Sequence, residues 1–558
     1  MHQIQVVITK GFYSAVVPAL RLFSVTILLG NAASSIAAPT FSNGANAGNV
    51  SVSGLVECSG IVSSRNNANV LWVHNDSNDS ARLFALDTQG RRLGTYNLTG
   101  ASHTDYEDIG IGPGPLTNIS YLYVGDIGDN GESRSNIRVY QIPEPAVYSR
   151  QYTNAPTVGV KGVHAITLNY PDSPHNAESL FIDPWTGDLF IVTKESTTSR
   201  VYSTTQAALN SGTNVILTFV RNLTFNIPSA ADISPSGREI IIRQEEFARL
   251  WTRTNGQSIS NALATAPVTI PVIGTPTEPN GEAVAFDANG NGYYTLSENA
   301  STEPLYYFAR TSGDGNRLPQ SIIPAGATWK YRDNGSNQGT AWREPAFDDS
   351  AWSNGIAQLG YGNGDEKTIV SYGANANNKH VTTYFRKQFV VDNAPCLESL
   401  TLKLVMDDGA AVYLNGTNIL NYQLATNAAY NTLASTVQAT NVEDTWFSFP
   451  VNPALLFNGT NTLAVEIHQA AVNSPDISFD LQLIGMESTT PRFMSYGLGT
   501  NRFELQLCGP STTNITVQAT TNFNSWTNVG SVILTNGLGS VSDLQTTNFP
   551  QRFYRAVR

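Results

Sequence analysis

Five times between residues 50 and 310, an acidic residue opens a short apolar strand, a turn follows, and a second strand runs out into polar or charged residues. Glu57-Cys-Ser-Gly-Ile-Val leads to Leu71-Trp-Val-His-Asn-Asp76, and Glu107-Asp-Ile-Gly-Ile leads to Tyr121-Leu-Tyr-Val-Gly-Asp126. Glu178-Ser-Leu-Phe-Ile leads to Leu189-Phe-Ile-Val-Thr-Lys-Glu195, and Asp232-Ile-Ser-Pro-Ser-Gly to Glu239-Ile-Ile-Ile-Arg-Gln-Glu245. The last is Glu282-Ala-Val-Ala-Phe followed by Gly292-Tyr-Tyr-Thr-Leu-Ser-Glu298. The leading acids stand 50, 71, 54 and 50 residues apart. One such unit cannot bury both faces of its own strands, so its neighbours must cover them. A period of this size, built of short strands and Gly/Asp/Asn turns, predicts a β-propeller over 45–320. Five blades are countable, and the 71-residue step holds either a long insertion or a sixth blade.

Composition agrees with an all-β chain. Charged residues are only 14%, aromatics reach 10%, and there are 45 Gly and 27 Pro, the mixture of turn-rich pleated structure. At 558 residues the chain exceeds one ordinary domain. The net charge is −12 and the 32 Lys and Arg are scattered, whereas neutralising a phosphate backbone takes clustered bases; nucleic acid is excluded as a partner.

Within the repeats, Leu71-Trp-Val-His-Asn-Asp-Ser77, Asp105-Tyr-Glu-Asp-Ile109, Tyr123-Val-Gly-Asp-Ile-Gly-Asp-Asn130 and Glu144-Pro145 resemble a largely uncharacterised family of exported bacterial propellers, distantly similar to phytase-like and NHL-type propellers. The resemblance implies the fold and leaves activity open.

In a propeller, matching positions of each blade face one channel. Glu57, Glu107, Glu178, Asp232 and Glu282 would then form a ring of carboxylates. Two such charges about 6 Å apart repel by roughly 3 kcal/mol at an effective dielectric of about 20. The ring must therefore hold protons, hold a cation, or tie each acid to backbone N–H groups and bases. Oxygen-only ligands suit Ca²⁺. A second polar set closes the following strands: His74, Asp76, Asp126, Lys194, Glu195 and Arg243. Such a rim fits a phosphoester or sugar, and a solvated loop rim would look the same. Neither a Gly-x-Ser-x-Gly elbow, a His-Glu-x-x-His helix nor a phosphate-cradling Gly loop occurs.

From 324 to 487 the pattern changes. Trp342-Arg-Glu-Pro-Ala-Phe-Asp-Asp-Ser-Ala-Trp352, Leu402-Lys-Leu-Val-Met-Asp-Asp-Gly-Ala-Ala-Val-Tyr-Leu-Asn-Gly416 and Leu455-Leu-Phe-Asn-Gly-Thr-Asn-Thr-Leu-Ala-Val-Glu-Ile-His468 resemble the galactose-binding-like jelly roll, in particular the sugar-binding domain of family 2 glycosidases. Sugar binding needs aromatic faces for pyranose rings, and Trp342, Trp352, Tyr361 and Trp446 are the nominees. Residues 490–558 alternate in short strands and resemble a small immunoglobulin-like module.

Lys10 and Arg21 precede the apolar stretch from Leu22 to Leu29, and Ser-Ile-Ala (35–37) or Ile-Ala-Ala (36–38) fits a signal-peptidase cut. Residues 1–38 therefore read as a signal peptide, with a buried N-terminal strand as the alternative. No later stretch suits a membrane span. Cys58, Cys396 and Cys508 fall in three different proposed domains, which predicts three buried free thiols. The resulting expectation is a secreted, periplasmic or surface-held protein that binds polysaccharide or cell-surface glycan. The alternative is a Ca²⁺-dependent, phosphoesterase-like hydrolase targeted by the jelly roll.

Overall fold

The computed structural model describes residues 3–10, 23–30, 38–147, 155–298, 302–312, 319–487, 491–499, 502–509, 514–535, 537–545, 548–549 and 551–557. The chain is all-β. Between residues 45 and 312, five antiparallel meanders follow one another. The first contains Cys58–Ser63, Val70–Asn75, Arg82–Asp87 and Arg92–Leu98. The second contains Tyr106–Pro113, Ser120–Asp126, Ile137–Pro143 and His164–Asn169. Ala177–Ile182, Leu189–Thr193, Arg200–Thr204 and Thr218–Asn222 make the third. The fourth is Ala230–Ile233, Glu239–Gln244, Phe247–Thr252 and Val268–Ile270. In the fifth, Gly281–Phe286, Gly292–Ser297 and Glu303–Ser312 are completed by Ala45–Val50 from the opposite end of the segment.

The opening strand of each meander lies beside that of the next, and the fifth returns to the first, so the five close a ring. The extra length of the 71-residue step goes into an excursion. Its strand Thr157–Val160 pairs in parallel with Arg92–Leu98 of the first meander, and no sixth meander lies there among the described residues.

Apolar side chains fill the gaps between meanders, because each sheet offers the neighbouring sheet one face. Trp72, Tyr96, Ile109 and Tyr140 pack between the first two. Ile61, Phe84, Ala285 and Leu296 close the fifth onto the first. Two buried carboxylates bind the opening strands together. Asp108 Oδ2 accepts from Leu180 N (2.8 Å) and Ala231 N (3.2 Å), joining three meanders, and Asp232 Oδ2 accepts from Phe286 N (2.7 Å).

Residues 319–487 form two facing six-stranded sheets. One is built around Leu397–Asp407 and Ile477–Glu487, the other around Thr382–Val391, Gly409–Leu414 and Gly459–His468. Phe385 and Phe479 stack at 4.0 Å between them, with Trp329 edge-on to Phe479. This sandwich docks on the ring. Lys403 donates to Arg65 O (2.5 Å), Ala146 N to Asp444 O (2.7 Å) and Ser448 N to Asn118 O (2.7 Å).

The tail adds a three-stranded sheet and a larger sheet containing Asn514–Thr520, Thr527–Ile533 and Gln551–Val557. The N-terminal strands Gln3–Lys10 and Phe23–Gly30 form a hairpin added to Gln551–Val557. Most of the expected cleavage segment, 31–37, lies outside the described residues. The expectation of three free thiols is corrected: Cys396 and Cys508 form a disulfide joining sandwich to tail, with Cα atoms 5.4 Å apart, and only Cys58 is free and buried. Assigning each cysteine to its own domain concealed a bond that runs between domains.

Candidate functional site

Four of the five opening strands begin with a β-bulge, and in three of them the extra residue is an acid. In the second meander Asp108 pairs with Gly125 and Tyr106 with Asp126, leaving Glu107 unpaired. Glu178 is the extra residue between Ala177 and Ser179, and Glu282 between Gly281 and Ala283. A bulge re-aims the side chain of its extra residue, and here all three aim at one mouth of the ring. Ser59 holds the same place in the first meander, where its hydroxyl donates to Glu107 O (2.7 Å). The fourth meander has no bulge, because Ala230 and Ala231 pair consecutively with Arg243 and Ile242.

The five leading acids therefore do not share one register. Glu107, Glu178 and Glu282 converge. Asp232 lies deeper, its carboxylate bonded to Ile233 N (2.8 Å) and Phe286 N. Glu57 stands one residue outside its strand and two before Ser59, the bulge residue. Two other acids take their places. Asp105 directly precedes the second opening strand, and Glu298 directly follows the fifth meander's second strand, as Asp76 and Lys194 follow theirs. Asp76, Lys194 and Glu298 thus recur at one position, just after the second strand of their meanders.

The mouth gathers six mutually interacting carboxyl groups (Asp76, Asp105, Glu107, Glu178, Glu282 and Glu298), and the ammonium of Lys194 lies among three of them, Glu178, Glu282 and Glu107. One oxygen each from Asp76, Asp105 and Glu107 lies within 4.8 Å of the others. Ligand oxygens on opposite sides of a Ca²⁺ ion are about 5 Å apart, so the three fit around one ion. Lys194 is ion-paired to Glu178 and lies 3.6 Å from Glu282 Oε1. Gly128 backs onto the group so closely that a Cβ there would collide with Glu107 Oε1 and Asp105 Oδ2.

Burial and mutual repulsion act together on these acids. Burial, then Asp105, Glu282 and Glu178, pushes Asp76 up to about 7. Glu178 is also raised to about 7 by burial, against the opposing pull of Lys194. Burial and contact with Glu282 and Asp76 lift Glu298 to about 9. Glu107 is held well above the carboxylate range by burial and then by Glu178, Asp76 and Asp105. Either protons or a cation must compensate such a mouth.

Other expected ligand residues have different surroundings. Asp126 is fully buried at the edge of the cluster, paired with Arg134 (2.9 Å) and accepting from Asp105 N (3.2 Å). Glu195 binds Arg200 (2.6 Å) and His175 (3.1 Å) away from the acids. His74 and Arg243 are corrected to interior residues. His74 is fully buried, and burial lowers it to about 4, so its ring stays neutral. Arg243, equally buried, binds Glu278 (2.8 Å) and Ala283 O (2.8 Å), tying the fourth meander to the fifth. The aromatic nominees of the sandwich are corrected too. Trp342 and Trp446 are 0% exposed, Trp352 6% and Tyr361 7%. Trp342 packs edge-on to Tyr384 and Tyr413, which leaves no face for a pyranose ring.

No protein-family model matches the chain, and no curated protein does. Solved structures with partial similarity include a β-glucuronidase of Bacteroides uniformis, 16% identical over 41% of this chain and 27% of that one, with a TM-score of 0.22. A glycosyl hydrolase family 2 member of Bacteroides cellulosilyticus is 13% identical over 43% and 31%, at 0.20. A β-glucuronidase of Ruminococcus gnavus is 10% identical over 42% and 41%, at 0.21. The chain spans less than half of each of these proteins, and at these identities and scores the likeness says nothing about activity.

Proposed function

We propose that the ring is a five-bladed β-propeller whose acidic mouth holds a divalent, oxygen-seeking cation, Ca²⁺ by preference, and that the protein is an exported, cation-dependent glycan-binding protein. The observation that carries this reading is the convergence of six carboxyl groups with only one ammonium among them, and with three oxygens spaced for a single ion. Asp76, Asp105 and Glu107 supply ligands. Ca²⁺ takes six to eight oxygens, so positions remain for the hydroxyl or carboxylate oxygens of a ligand entering from solvent. The resemblance of 324–487 to a sugar-binding jelly roll favours glycan as the ligand class, with the tail as an immunoglobulin-like spacer.

One observation favours a hydrolytic second reading. Glu298, raised to about 9 and in contact with Asp76, lies beside the cation position, where it could serve as general acid while the cation activates water. Glycan binding measured in Ca²⁺ and in EDTA tests the first reading. Retention should disappear in EDTA and in Glu107→Gln, and equal retention in EDTA contradicts it. Product release from phosphoesters or glycans, abolished in Glu298→Gln, would establish the second.

A further inference from the structure

At the mouth of the ring, one base stands where the fold twice places an acid. The amides of Asp76, Lys194 and Glu298 make the same backbone bond in their three meanders. Asp76 N donates to Glu57 O (2.7 Å), Lys194 N to Asn176 O (2.9 Å) and Glu298 N to Asn280 O (2.8 Å). Each acceptor lies two residues before the bulge residue of its own meander, which is Ser59, Glu178 or Glu282. The three side chains therefore start from matching points of the ring. Two carry a carboxyl and the third an ammonium.

That ammonium is committed to two acids. Lys194 Nζ is ion-paired to Glu178 Oε2 and lies 3.6 Å from Glu282 Oε1, and its side chain is 22% exposed. Asn176 takes the other oxygen of Glu178, donating Nδ2 to Oε1 (3.4 Å). Asn176 is fixed in turn by Asp129 N, which donates to its Oδ1 (2.7 Å). Glu178 thus has both oxygens occupied by its own chain. Burial opposes a charge on Lys194, yet Glu178, then Glu282 and Glu107, outweigh it and hold the group firmly protonated.

The other half of the mouth is different. Asp76, Asp105 and Glu107 bring three oxygens within 4.8 Å of one another, and no Lys or Arg forms an ion pair with them among the described residues. The nearby guanidinium of Arg134 is taken up by Asp126 (2.9 Å) and Gly128 O (2.6 Å). One half is neutralised by a charge the chain carries, and the other is open to an ion from solvent. A tethered ammonium cannot leave when that ion arrives. Like charges in a partly buried site repel over several ångströms, because water and salt screen them less there than at an open surface.

We infer that Lys194 is a built-in counter-ion that neutralises Glu178 and Glu282, confines the divalent ion to Asp76, Asp105 and Glu107, and keeps its binding weak enough to exchange. This role rests on the mouth being a cation site.

Calorimetric titration of the full chain with Ca²⁺ alone, at pH 8.5, separates a counter-ion from a lysine that merely props the fold. Lys194→Met keeps an unbranched stem and removes the charge, so its affinity for Ca²⁺ should rise by about tenfold or more. Lys194→Arg keeps the charge and should bind as the wild type does. A propping lysine gives the opposite sign, with affinity falling in Lys194→Met. Thermal unfolding reports on the fold: without Ca²⁺, Lys194→Met should melt below the wild type, while its Ca²⁺-induced rise in Tm should be larger. Lys194→Gln, which retains a donor for Glu178, should shift affinity in the same direction and carries the test if the methionine variant does not fold. Equal or lower affinity in the neutral variants, beside a wild type that binds one ion, overturns the inference and leaves the cation site standing. Uptake by Lys194→Met but not by the wild type upholds the counter-ion and removes the ion from the native mouth. No uptake by any of these proteins overturns both.

Discussion

Glu298, Asp76 and Glu178 carry protons that an ordinary carboxyl would have released, and this sets the sign of their effect on stability. An acid raised in the fold binds more protons folded than unfolded between about pH 4 and its folded value, so stability falls as pH rises through that window. Asp480, raised to about 7 by burial, and Glu443 act in the same direction. The cation-free protein should therefore have a lower Tm at pH 8.5 than at pH 5.5, and saturating Ca²⁺ should reduce that difference. Binding should also release protons, visible as a calorimetric enthalpy that depends on buffer ionisation. Gly128→Ala, which places a methyl against Glu107 and Asp105, should weaken Ca²⁺ binding more than tenfold with little change in fold. For Trp342, interior packing predicts a loss of about 3–5 kcal/mol in Trp342→Ala, read by denaturant unfolding. Sequence alone could not assign this residue, because the same ring suits a core and a sugar platform; the choice depends on neighbours such as Tyr384 that are distant in the chain.

The elements show where periodicity is informative and where it stops. Short apolar runs ending in polar residues mark Leu71–Asp76 and Gly292–Glu298 as strands, and the structure has Val70–Asn75 and Gly292–Ser297 there. The acids at strand starts look equivalent in sequence, yet one bulge more or less moves a side chain to another place. That is why Glu107, Glu178 and Glu282 meet while Asp232 joins backbone amides instead. Asp105 and Glu298 join them from just outside their strands, where only closure of the ring brings them to the same mouth. Between elements, Arg243 and Glu278 form a fully buried pair, and truncating one partner leaves the other charge unpaired. Glu278→Ala should cost about 3–5 kcal/mol, measured by urea unfolding.

Across the whole molecule, the ring is closed by the pairing of Ala45–Val50 with Glu303–Ser312, so the two ends of the segment hold each other. The Cys396–Cys508 disulfide similarly ties the tail to the sandwich across a separation of 112 residues. Reduction, or Cys508→Ser, should split a single calorimetric transition into two, with the tail melting first; an unchanged transition would show that the tail is held by its other contacts. At the mouth, closing the ring brings together acids that the chain keeps far apart, and a cation is expected among them. Its most direct measurement is anomalous X-ray scattering from crystals grown with Ca²⁺, recorded at a wavelength where calcium scatters strongly. A peak bounded by the carboxylates of Asp76, Asp105 and Glu107 is expected, and a well-ordered mouth without that peak at saturating Ca²⁺ would contradict a cation there.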